Sequence, residues 1–138
     1  SPFVGPAGEL LTRIIAAMGF RREEGYIANI VKCRPPGNRE PRPEEIGACI
    51  GFLRSQIETV SPRVIVALGR VAAQSLLGNG DPLSTLRGRF HEPGGPPVMV
   101  TYHPAYLLRN PGAKKTVWQD VQQVMRMLGK PLPGKRSG

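Results

Sequence analysis

Apolar residues recur along this chain with two different periods. Leu10, Leu11, Ile14, Ile15 and Met18 fall at helical spacing and Gly19 follows them, so the pattern predicts a helix over residues 7–18. Residues 25–32 are dense in Ile, Val and Tyr and read as a buried strand. Residues 33–42 carry Pro35, Pro36, Gly37 and Pro41 and read as a loop. Pro43 opens a second helix, with Glu44 and Glu45 in its first turn where acids suit the helix dipole, and the pattern runs to about residue 59. The apolar run at residues 63–68 predicts a short strand, and Gly69 turns the chain into a third helix ending near Gly78. Residues 86–91 form a fainter strand pattern, and residues 98–102 a clearer one that runs straight into His103-Pro104. An amphipathic stretch at residues 113–128 predicts the final helix.

Strands alternating with helices argue for an α/β fold, a parallel sheet with helices on both faces. Ligands of such folds bind beyond the carboxyl ends of the strands. Two segments in that position, residues 33–42 and 103–109, carry unusual polar residues and are the site candidates. No internal repeat is visible. A length of 138 residues suits one domain, placed over residues 1–128, with a flexible basic tail at 129–138.

Charge adds a partner class. Nineteen Lys and Arg against ten acids give a net charge of +9, which favours a polyanion, most often nucleic acid. No signal peptide and no apolar run of membrane-spanning length is present, so a cytoplasmic monomer is expected. In that reducing setting the two cysteines, Cys33 and Cys49, are expected as thiols rather than a disulfide. The chain begins at Ser1 within a Pro/Gly turn, and further sequence is expected upstream.

Four segments stand out together: Pro2-Phe3-Val4-Gly5, then Asn29-Ile30-Val31-Lys32-Cys33-Arg34-Pro35-Pro36, then Cys49, then His103-Pro104-Ala105-Tyr106-Leu107-Leu108-Arg109. Each is weak alone. In order and spacing the set closely resembles the iron–sulfur, family-4 uracil-DNA glycosylases, over nearly all of residues 1–127. The resemblance implies a three-layer αβα domain around a mostly parallel, four-stranded sheet. It implies a base-excision repair enzyme that flips uracil out of single- or double-stranded DNA and hydrolyses its N-glycosidic bond, leaving an abasic site.

The resemblance also assigns roles, each with a physical reason. His103 would donate a hydrogen bond to the uracil O2, where negative charge develops as the base departs. Asn29 would read the base edge, since an amide can donate to uracil O4 and accept from N3–H, whereas cytosine presents the reverse. Phe3 would stack on the flipped base, worth roughly 1–3 kcal/mol. Leu107 and Leu108 match an intercalation loop, one expected to point inward and one to wedge into the DNA stack. By charge rather than by resemblance, Arg109, Arg34, Arg39 and Lys114 are candidates to meet phosphates, with a solvated face as the other reading. Arg42, Lys115 and the Arg87-Gly88-Arg89 run are further basic candidates. Cys33 and Cys49 would supply two of the four thiolates of a 4Fe–4S cluster, the other two being expected upstream of Ser1. The family's Gly-Glu-Ala-Pro-Gly motif, which positions the attacking water, does not occur in the 138 residues. Residues 32–36 also lack the Arg/His-rich insertion of a covalently bonding variant subgroup.

Bland readings stand beside these. His103 also reads as a loop histidine bonded to backbone, Asn29 as an amide satisfied by its neighbours, Phe3 as a core or staple residue, and the cysteines as two buried thiols or an adventitious metal pair. Two other functions remain: a DNA-binding domain that recognises without cutting, and an inactive fragment of such an enzyme.

Overall fold

Alternation along two buried strands decides the layering. The computed structural model describes residues 5–19, 21, 23–28 and 42–130. Its elements run α1 (Gly5–Met18), β1 (Gly25–Ala28), α2 (Pro43–Val60), β2 (Val64–Leu68), α3 (Arg70–Leu77), α4 (Leu83–Leu86), β3 (Phe90–His91), β4 (Val98–Thr101), α5 (Pro104–Arg109), a 3₁₀ turn (Pro111–Ala113) and α6 (Lys114–Met127). The sheet order is β1-β2-β4-β3. The first three are mutually parallel and β3 is antiparallel to β4.

Every residue of β2 and β4 is buried, as expected for central strands covered on both faces. Successive side chains point to opposite faces. Ile65, Ala67, Val98 and Val100 pack with Ile57 of α2, with Ala72, Ala73 and Leu76 of α3 and with Leu86. Val64, Val66, Leu68 and Met99 pack instead with Val124 and Leu128, joined by Ile15 of α1. The sheet is thus sandwiched between α2, α3 and α4 on one side and α1 and α6 on the other. This is the mostly parallel, four-stranded arrangement that the alternating pattern predicts.

Two segments differ from the sequence reading. Only Phe90–His91 of residues 86–91 is strand, because Leu83–Leu86 closes a helical turn and Gly88, at φ +83°, breaks the extension. His91 Nε2 donates to the Leu86 carbonyl at 2.8 Å, fixing that turn. Residues 104–109 form a short helix rather than a loop. Pro104 suits the first helical position, and Ala-Tyr-Leu-Leu-Arg sustains the turn.

Near the amino ends of the strands, Lys130 Nζ lies 3.1 Å from Glu24, joining the chain after α6 to the turn before β1. The Arg21 backbone N–H and then the Lys130 ammonium hold the Glu24 carboxyl below its usual value. No described helix is long and apolar enough to cross a membrane.

Candidate active site

The carboxyl edge of the sheet is built by the ends of β2 and β4, whose last residues, Leu68 and Thr101, are register partners. Gly69 follows the one strand; its N–H donates to the Thr101 carbonyl at 2.9 Å. Its φ of +89° is open to glycine and strained for other residues. A Cβ there would stand 3.1 Å from the His103 Cβ. Gly69 therefore both turns the chain and makes room for the histidine backbone. Gly69→Ala should cost about 1–3 kcal/mol in strain and displace His103, lowering the melting temperature. An unchanged melt would refute that role.

His103 caps α5 in extended geometry, φ −69° and ψ 142°. Its Nδ1 accepts the Ala105 N–H at 3.0 Å, and its carbonyl accepts the Tyr106 N–H at 2.9 Å. Since Nδ1 is an acceptor, the neutral ring carries its proton on Nε2. The half-buried imidazole is thus a neutral N–H donor of fixed tautomer and fixed backbone, at the edge where the fold class places its ligands.

The α5 turn separates the two leucines. Leu107 is 1% exposed and packs with Leu10, Val117, Val121 and Met125. Leu108 is 46% exposed. Of the two leucines offered for DNA contact, Leu107 is the one that points inward: its side chain belongs to the core between α1 and α6, and Leu108 faces out. Arg109 and Lys114 are both exposed.

One polar network lies under this edge. Asp120 of α6, 1% exposed, accepts from Arg87 Nε at 3.1 Å, Arg87 Nη2 at 2.9 Å and Thr101 Oγ1 at 2.6 Å. The Arg87 guanidinium, held above its ordinary pKa mainly by the Asp120 hydrogen bond, sits 5.7 Å from the Tyr102 ring centroid. Tyr102 in turn stacks on Tyr106, with centroids 4.5 Å apart and planes at 16°. Arg87, a candidate for phosphate contact by sequence, is instead committed to a bidentate ion pair. Arg89 is exposed, and its Nε reaches the Thr85 carbonyl at 3.4 Å.

Phe3, Asn29, Cys33, Arg34 and Arg39 lie outside the described residues. Cys49 is buried on α2 beside Ile50 and Leu53. It is disulfide-bonded, where a reducing compartment led to the expectation of a thiol. Among the described residues, no three His, Cys, Asp or Glu side chains converge as a metal site.

Sequence reasoning missed Asp120 and Thr101. A signal for Asp120 existed. It falls within the Val117, Val121 and Val124 stripe of the last helix, where an acid is out of place unless it has buried partners.

The model of the uracil DNA glycosylase superfamily matches residues 1–122. The chain is 42% identical over 140 residues to a type-4 uracil-DNA glycosylase of Archaeoglobus fulgidus, covering 96% of this chain and 70% of that protein. It is 45% identical over 133 residues to the type-4 enzyme of Thermotoga maritima, covering 94% and 69%. With the type-4 enzyme of Saccharolobus solfataricus it shares 41% over 141 residues, covering 95% and 65%.

Proposed function

The chain belongs to the uracil-DNA glycosylase superfamily, and from that premise we propose that it excises uracil from DNA, hydrolysing the N-glycosidic bond to leave an abasic site for base excision repair. The observation that carries the reading is the His103 geometry, an Nε2–H donor held in one tautomer at the carboxyl edge of the sheet. As the C1′–N1 bond breaks, the electron pair leaves with uracil, and negative charge gathers on its carbonyl oxygens. A preorganised donor at O2 stabilises that charge in the transition state more than in the ground state. Water then adds its oxygen to C1′ and loses a proton, and the uracil anion is later protonated.

The other roles follow from residue chemistry. Leu108 fills the gap left by the flipped nucleotide, and Arg109 and Lys114 neutralise flanking phosphates. Asn29 selects uracil over cytosine by its amide, Phe3 stacks on the base, and Arg34 and Arg39 add phosphate contacts. The net charge of +9 supports a DNA partner.

The family resemblance implies a 4Fe–4S cluster, which takes four thiolates. This chain has two cysteines, so Cys33 and Cys49 fit as half of the ligand set. When bound, the cluster would act as a structural cross-link between Cys33 and α2.

The test uses the intact protein and an oligonucleotide with a single uracil. Free uracil and an alkali-labile abasic site should appear, and a matched thymine or cytosine strand should stay intact. Tight DNA binding without any base release would instead support a recognition domain.

A further inference from the structure

We propose that Arg87 and Asp120 are positioning residues whose half-buried ion pair fixes the end of β4 and the start of α5, and through them the His103 ring. The proposal rests on the role given to His103 above. Two residues near His103 are held by this pair directly, and a third through one of them. Thr101, at the end of β4, donates its hydroxyl to Asp120 at 2.6 Å. Its carbonyl takes the Gly69 N–H at 2.9 Å, and a Cβ on Gly69 would meet His103 at 3.1 Å. Tyr102, immediately before His103, lies beneath the Arg87 guanidinium at 5.7 Å. Tyr106 stacks on Tyr102 at 4.5 Å and bonds the His103 carbonyl through its own N–H at 2.9 Å.

Two further hydrogen bonds brace the loop that delivers Arg87. The Gly88 N–H donates to the Val100 carbonyl at 2.9 Å, and Gln123 Nε2 donates to the Gly88 carbonyl at 2.9 Å. A Cβ on Gly88 would come within 3.3 Å of Asp120 Oδ1, so a glycine lets the loop lie against the carboxylate. Buried ion pairs are often no more stabilising than well-packed apolar residues of like volume, but they impose a defined geometry. Bidentate geometry makes Arg and Lys unequal here, because only Arg matches both carboxylate oxygens.

The experiment separates geometry from stability. In the intact protein, Arg87→Met combined with Asp120→Leu replaces the pair by apolar side chains. That double variant should melt below the parent, because the buried Thr101 hydroxyl loses its acceptor, yet bind a uracil-containing duplex as tightly as the parent. Its single-turnover release of uracil at saturating DNA should fall roughly 100-fold, the scale on which a misplacement of about 1 Å acts. Arg87→Lys alone should recover part of the rate. If the double variant does not fold, Thr101→Val serves in its place, since it removes one hydrogen bond to Asp120 and little volume; it too should slow release without weakening DNA binding. A parental rate in either folded variant overturns the proposal. His103→Asn is measured alongside. Should it also keep the parental rate, the His103 role itself fails; a slow His103→Asn beside a fast double variant fails the positioning role alone.

Discussion

Replacing His103 with alanine should lower single-turnover uracil release by about 10²- to 10³-fold, about 2.7–4 kcal/mol of transition-state stabilisation, the usual cost of removing one preorganised donor at a developing oxyanion. DNA affinity should change little, because the donor acts on charge that appears only as the bond breaks. Alanine removes a second interaction as well. The His103 Nδ1 accepts the Ala105 N–H at the start of α5, and loss of such a cap costs roughly 0.5–2 kcal/mol of stability. His103→Asn separates the two effects. An asparagine is a good N-cap acceptor, so the variant should melt near the parent, yet it carries no donor at the reach of Nε2. A slow His103→Asn with parental stability is the expected result. A stable His103→Asn that releases uracil at the parental rate would remove His103 from the chemistry.

The sequence carried the layering well, for a physical reason. Central strands buried on both faces must be continuously apolar, and Val64–Leu68 and Val98–Thr101 nearly are. The last helix announced its buried face through Val117, Val121 and Val124. His103 was singled out by the resemblance of its segment to the family motif; its place directly after a strand and before Pro104 was weak evidence by itself. What could not be read was pairing at long range. Arg87 and Asp120 are 33 residues apart, and nothing local distinguishes Arg87 from the exposed Arg89 beside it. Gly69 read as a helix start, and its contact with His103 depends on the register of β2 against β4. Register is a tertiary fact, fixed by the packed sheet rather than by either strand alone.

The same limit applied to the two leucines, and they provide the other large effect. Treated as a loop, residues 104–109 had no phase, so neither leucine could be assigned. Folded as α5, adjacent residues point about 100° apart around the axis, and the turn sends Leu107 into the core at 1% exposure while Leu108 stays 46% exposed. Leu107→Ala should therefore cost about 2–5 kcal/mol of stability, the range for truncating a buried leucine, and urea titration would measure it. Leu108→Ala should shift stability by no more than about 0.5 kcal/mol, as surface substitutions do. Its effect should appear in the reaction instead. Flipping a base from a duplex costs a few kcal/mol of unstacking, and an apolar wedge offsets part of that. A single strand needs little of this help. Leu108→Ala should thus slow uracil release from duplex DNA well beyond its effect on single-stranded DNA. Equal slowing on both substrates would deny Leu108 the wedge role, and a Leu107→Ala variant as stable as the parent would contradict the buried position on which the assignment depends.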